Sequence, residues 1–266
     1  MNFRPWTPGV STLAALSVAL PLLHGCGGGS NSDKAGFVRL VNATTDYGAL
    51  DLYSSTSGIS TSVASFAVGA YVELEEGSYT FNLKSAGTNT TSSTSTRSVS
   101  KDVHNTLLAY VSGGTLATAF LTDTEAAPSS GAAKLRVFNT AAAEAGSVDV
   151  YVVASACTSL ANASATASSV STWSVYNEIT AASSGTAYHV CITAAGDKTD
   201  LRLDIPSLTL TDQQIATLVL TRTSGGVLLH GLLLNQQRAL SAQQAAQCGV
   251  VLDDVEVVGL AHRAQA

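Results

Sequence analysis

Positive charge is scarce in this chain: 13 Lys and Arg stand among 266 residues against 19 Asp and Glu, for a net charge of −6. No run of Lys or Arg occurs anywhere. Binding to phosphate backbones needs a clustered basic face, so nucleic acid is excluded as a partner. Charge of either sign is low at 12 % of residues and aromatics reach only 6 %, with no clustered Trp/Tyr pattern. The four cysteines lack the closely spaced pairs of a zinc site. A G-x-S-x-G elbow and strand–helix alternation are both missing, which removes the α/β-hydrolase reading. Glu73, Glu75 and Glu76, and Asp253, Asp254 and Glu256, are the densest acidic groups. Neither supplies the alternating oxygen ligands and Gly turn of a calcium loop. No metal, cofactor or catalytic residue is therefore expected, and no enzyme.

What is present begins at the N-terminus. Arg4 is the only charged residue before Cys26, and Thr12–Leu23 is a 12-residue, largely apolar stretch. That stretch is too short for a hydrocarbon core needing about 20 residues, and it has the layout of a secretory signal. Pro21 breaks it ahead of Leu23-His24-Gly25-Cys26. These four residues resemble the lipobox of bacterial lipoprotein signal peptides, although His24 stands where a small residue is usual. The resemblance implies cleavage between Gly25 and Cys26, a diacylglyceryl group on the Cys26 thiol and acylation of the new N-terminus. Residues 1–25 are then the signal peptide, leaving 241 residues. Residues 26–35 form a tether in which Gly27-Gly28-Gly29-Ser30 is of the flexible Gly/Ser type. Gly27, where an Asp favours inner-membrane retention in enterobacterial sorting, directs the expectation to the outer membrane, on its periplasmic or surface face. No second apolar run of spanning length follows, so lipid alone anchors the chain. Three fatty chains exceed the two signals that stable anchoring needs.

With Cys26 lipidated, Cys157, Cys191 and Cys248 remain, an odd number in a chain bound for oxidising surroundings. Cys157–Cys191 is the expected disulfide, with Cys248 the other partner open to either cysteine.

The rest of the sequence repeats itself. Val38-Arg39-Leu40-Val41-Asn42 recurs as Leu135-Arg136-Val137-Phe138-Asn139, and Leu50-Asp51-Leu52-Tyr53 as Val148-Asp149-Val150-Tyr151. The pairs Asn42/Asn139, Asp51/Asp149 and Gly113/Gly225 lie 97, 98 and 112 residues apart. The second copy therefore carries about 14 extra residues, mostly in the Ala/Ser/Thr stretch 157–174. Short runs such as Phe37–Ala43, Ala49–Tyr53, Ser78–Lys84 and Thr106–Ser112 alternate β-branched or aromatic residues with polar ones, as half-buried strands do. Gly113-Gly114 and Gly225-Gly226 mark a hairpin in each copy. Residues 89–100 read as a loop or a polar edge strand. The fold class is all-β: two tandem immunoglobulin-like β-sandwich domains at 36–125 and 132–236. Residues 126–131 are the linker and 237–266 a C-terminal tail that includes a possible short helix at 239–247.

The V/L-R-x-x-N-[AT] strand, the [LV]-D-[LV]-Y strand and the later Gly77-Ser78-Tyr79 segment resemble the bacterial domain-of-unknown-function family 4397. The resemblance covers 36–235 and implies secreted or lipid-anchored tandem domains, with no activity and no catalytic residues to carry over. Asn42, Asn139, Asp51 and Asp149 are the polar positions kept in both copies. The reading adopted gives Asn a turn-fixing role and Asp an exposed pairing with Arg39 or Arg136. His104, His189, His230 and His262 are not duplicated, and His189 and His230, which lie within strand patterns, are read as ordinary face residues. Trp173, Tyr47, Tyr53, Tyr151 and Tyr176 have faces able to stack on sugar rings, but core or loop packing is the role assigned. The combined expectation is a lipid-anchored cell-envelope protein acting as a non-catalytic binding, adhesion or structural module. Its partners are the membrane and an envelope or extracellular protein or glycan. The alternative is a small-ligand or metal-binding periplasmic lipoprotein, with an envelope hydrolase ranking below both.

Overall fold

Residues 35–222 and 229–236 are described by a computed structural model. In the first copy these residues form nine strands: β1 (Ala35–Asn42), β2 (Leu50–Ser54), β3 (Ser57–Val63), β4 (Ala67–Val68), β5 (Val72–Glu75), β6 (Gly77–Ser85), β7 (Thr91–Val99), β8 (His104–Ser112) and β9 (Thr115–Thr122). The second copy follows with β10 (Ala132–Asn139), a one-turn helix α1 (Ala142–Ala145), β11 (Val148–Val153), β12 (Ala167–Val170), β13 (Asn177–Thr180), β14 (Thr186–Ala194), β15 (Asp197–Leu210), β16 (Ile215–Arg222) and β17 (Leu229–Asn235). Each copy is a two-sheet sandwich. In the first, β3-β2-β6-β7 faces β4-β1-β8-β9, with β5 also paired to β1; in the second, β12-β11-β14-β15 faces β13-β10-β16-β17.

Period-two alternation explains both cores. Val38 and Leu40 of β1 and Leu107 and Ala109 of β8 point inward against Leu50, Leu52, Phe81 and Leu83 of the facing sheet. Leu135, Val137, Leu218 and Leu220 meet Val148, Val150, Ile192 and Ile205 in the same way. The intervening residues face outward, and there the copies meet. Val41, Leu108 and Leu121 pack against Phe138, Val219 and Leu232 in a third apolar cluster. Tyr110 sets its edge against Phe138 with ring centres 5.3 Å apart. The Thr221 hydroxyl donates to the Ala43 carbonyl at 3.0 Å, Arg39 Nη2 to the Asn235 carbonyl at 3.1 Å, and Arg222 pairs with Asp46. The described residues accordingly form one compact unit.

The all-β sandwich expectation holds. The stretch 89–100 is an edge strand, β7, paired along its length with β6. Two features lie beyond what alternation conveys. β1 pairs β8 in parallel, as β10 does β16, because these partners come from distant parts of each copy rather than from a hairpin. The pairing sets Arg39 opposite Thr106 and Arg136 opposite Thr217. The equivalent threonines are thus 111 apart, one fewer than the glycine alignment gives. The copy-two hairpin turn, the signal peptide with Gly25 and Cys26, and the tail with Cys248 and His262 lie outside the described residues.

The extra residues of the second copy have a definite place. β2 and β3 are joined through Ser55-Thr56 alone, whereas β11 and β12 are joined by residues 154–166, which include a 3-10 turn at Cys157–Ser159. Cys157 and Leu160 from that excursion cover Tyr151 and Cys191 on the outer face of β11 and β14. Tyr151 is 2 % exposed as a result. Its counterpart Tyr53 stays half-buried, with the Lys84 ammonium 4.3 Å from its ring centre.

Candidate functional site

Four duplicated polar residues hold the scaffold. Asn42 is fully buried; its Nδ2 donates to the Gly48 and Val63 carbonyls at 2.9 and 3.0 Å, and its Oδ1 accepts from the Thr44 N–H at 3.2 Å. Asn139 does the same with the Gly146 and Val170 carbonyls, both at 3.0 Å, and the Ala141 N–H at 3.1 Å. Each Asn therefore ties the end of the first strand to the chain that follows and to the edge strand beyond. Asp51 and Asp149, at 5 % and 6 % exposure, correct the expectation of solvent-facing partners for Arg39 and Arg136. Asp51 accepts from the Ser62 N–H at 2.6 Å and the Gly87 N–H at 3.3 Å. Asp149 accepts from the Ser169 and Gly196 N–H groups, both at 2.8 Å. Ser62 and Ser169 sit at bulges with φ of 53° and 52°, and Gly87 and Gly196 at hairpin turns with φ of 75° and 79°. The carboxylate thus satisfies donors that bulges and tight turns remove from the ladder.

The arginines have a different task, on the opposite face of their strands. Arg39 Nε donates to the Thr106 hydroxyl at 2.9 Å, and its guanidinium lies 4.5 Å from the Tyr71 ring centre. Arg136 repeats this with Thr217 at 2.9 Å and Tyr176 at 4.6 Å. Burial pushes the Tyr71 and Tyr176 hydroxyls up, opposed by the neighbouring guanidiniums, so both stay neutral hydrogen-bonding groups. Tyr71 also meets His104 edge-on at 4.7 Å, and His104 stacks on Phe37 at 4.5 Å. Burial, with Arg39 beside it, holds His104 below its ordinary value.

The copies differ one step further along. Trp173 lies flat on Phe138, with ring centres 3.7 Å apart and planes 3° from parallel, and the Arg136 guanidinium is 4.8 Å from its centre. Arg136 and Phe138 are two residues apart and share a strand face, so both support the indole from one side. Trp173 remains 41 % exposed, and Val175 beside it 77 %. The equivalent first-copy positions, set by the pairing of Val41 with Val68, are Val68 and Ala70. Trp173, stacked through Arg136 to Tyr176, makes an exposed apolar ledge edged by a cation and a neutral hydroxyl, with the exposed Val175 two residues along the chain. Such a ledge suits the flat, CH-rich face of a sugar ring or an apolar side chain.

Cys157 and Cys191 are joined by a disulfide with Cα atoms 5.6 Å apart. Asp204, opposite Cys191 in the β14–β15 pairing, brings an Oδ1 to 3.0 Å from Cys157 Sγ, and His189 Nδ1 is 3.6 Å from that oxygen. Spacing along the chain concealed this group, since strand pairing and the 154–166 excursion assemble it. His230 packs on Phe66 at 4.9 Å and is held low by burial. Glu73, Glu75 and Glu76 are all exposed around the end of β5. Val175, the Arg–Thr clamps and Asp204 were not singled out by sequence reasoning. The duplicated Arg39/Arg136 and Thr106/Thr217 were the available signal for the clamps.

Fold and site define a tandem β-sandwich with shared internal clasps and a ledge peculiar to one copy. Residues 36–151 match the family described as Domain of unknown function (DUF4397), the family the duplicated motifs resemble. That span takes in the first copy and ends at the second copy's Asp149–Tyr151 motif. No curated protein matches the chain. Among solved structures, a carbohydrate-binding module of family CBM26 from Eubacterium rectale Amy13K, in complex with maltoheptaose, is 9 % identical. It matches over 76 % of this chain and 97 % of its own, with a TM-score of 0.24. The Bacillus anthracis TIE protein is 8 % identical over 71 % of this chain and 34 % of its own, with a TM-score of 0.23.

Proposed function

We propose that this is a lipid-anchored, non-catalytic binding module of the bacterial cell envelope, tethered through Cys26 at the outer membrane, with its contact surface around Trp173. The ledge is the observation that supports this reading. Among the described residues the exposed large apolar side chains are Trp173, Val175 and Leu201, and the largest, Trp173, has the Arg136 guanidinium on its ring. An indole held rigid by Phe138 and Arg136 loses little conformational freedom when a ligand settles on it, which favours binding. The partner is an envelope or extracellular glycan or protein.

The chain has two tryptophans, Trp6 and Trp173, and cleavage after Gly25 leaves Trp173 alone as a fluorescent reporter. The mature protein is titrated with soluble peptidoglycan fragments, capsular oligosaccharides and matrix proteins while its emission is followed. A bound partner shifts or quenches the emission, and Trp173→Ser weakens its affinity, measured calorimetrically, by at least about tenfold, the scale of one lost aromatic anchor. A partner that binds wild type and Trp173→Ser equally contradicts the assignment of the surface.

A further inference from the structure

We propose that the Cys157–Cys191 pair is a redox-gated zinc site, in which reduction frees two thiols that bind the ion together with the Asp204 carboxylate and His189 Nδ1. The two sulfurs and an Asp204 oxygen already lie within 4.8 Å of one another. A tetrahedral zinc ion with bonds of about 2.0–2.3 Å sets its ligand atoms roughly 3.3–3.8 Å apart. His189 Nδ1, 3.6 Å from Asp204 Oδ1, already has such a separation from the carboxylate but stands outside that 4.8 Å group, so its ring turns toward the sulfurs when the ion binds. Its distance from the carboxylate is too long for a hydrogen bond, and His189 Nδ1 is a buried atom with no hydrogen-bond partner. The oxidised pair gives Asp204 nothing to accept, because a disulfide sulfur carries no proton. Two thiolates, an imidazole and a carboxylate are a donor set that takes zinc in preference to calcium or magnesium.

The site belongs to the second copy alone. Strand pairing places Thr80 and Asn82 of β6 where β14 carries His189 and Cys191, and the first copy has no excursion to supply a Cys157. In the gating step a dithiol supplies two electrons and two protons. The S–S bond breaks, two S–H bonds form, and the dithiol closes into its own disulfide. Zinc binding then releases both thiol protons to solvent. The metal replaces the covalent staple over Tyr151, so the excursion stays pinned in either redox state.

The test uses the mature chain, oxidised or reduced with a phosphine that does not bind zinc, and Co2+ as probe followed by Zn2+. The oxidised protein shows no cobalt band. The reduced protein takes up one equivalent with a thiolate-to-cobalt charge-transfer band, which zinc abolishes. His189→Ala and Asp204→Asn keep the disulfide and so fold in the oxidised state; each weakens zinc binding by at least about tenfold once reduced. Cys157→Ser with Cys191→Ser removes the band. The proposal is overturned by the absence of a band in reduced wild type, by a band that survives in the double serine variant, or by either ligand variant binding as tightly as wild type.

Discussion

Asn42 shows how one buried amide organises a strand end. The Thr44 N–H and the Gly48 and Val63 carbonyls all depend on its side chain, and the bonds to Thr44 and Val63 are buried away from any water that could take its place. Asn42→Ala strands them, at a cost of about 3 kcal/mol in urea unfolding. A loss below about 1 kcal/mol would mean the segments hold without the clasp. His104 acts in the opposite sense. Its folded-state affinity for protons is depressed by burial and by Arg39, so the unfolded chain binds a proton more readily. Stability is therefore full above the ordinary histidine value of 6.5 and falls as pH drops below it. His230 contributes with the same sign. Unfolding midpoints measured from pH 7.5 down to pH 5 should decline, and His104→Gln should flatten part of that slope. An unchanged slope in the variant contradicts the placement of His104 between Phe37, Tyr71 and Arg39.

Among the elements, the 154–166 excursion owes its position to one covalent bond. Cys157 and Cys191 are 34 residues apart, and closing a loop of that size stabilises by about 4 kcal/mol in the chain-entropy picture. Cys157→Ala with Cys191→Ala should lower stability by about that amount and expose residues 154–166 to protease, whereas the Ser55-Thr56 turn of the first copy stays resistant. Equal resistance of the excursion with and without the bridge contradicts a stapling role. Much of this level was legible beforehand. Alternation located β1, β2, β6 and β8 to within about two residues, because the side chains that face the sandwich core recur at every second position. β3 and β12 were missed: they are Ser-, Gly- and Ala-rich edge strands with little apolar rhythm, held by their partners and by Asn42 or Asn139 rather than by pattern. Asp51 and Asp149 were located as a pair but misread. Burial of a carboxylate depends on donors from a bulge and a turn, which only the folded chain brings to it. Trp173 and Tyr176 were noted as able to stack on sugars but assigned to packing, because only the folded chain shows Phe138 and Arg136 beneath an indole that stays 41 % exposed.

At the scale of the whole molecule, equivalent faces of the two copies meet. Val41, Leu108 and Leu121 come from the same positions in the first copy as Phe138, Val219 and Leu234 in the second. Tyr110 against Phe138 on one side is balanced by the Thr221 hydroxyl on the Ala43 carbonyl on the other. A seam made in this way covers part of one outward sheet face of each copy, leaving the ledge and the disulfide-covered face as the second copy's own additions. Whatever the ledge binds, the proposed function has it bound while the molecule is fixed to a membrane. Fractionating cells that express wild type or Cys26→Ala tests this most directly. Wild type should sediment with membranes and come off only in detergent, while Cys26→Ala should be recovered in the soluble fraction. A Cys26→Ala protein that still needs detergent for its release contradicts the account.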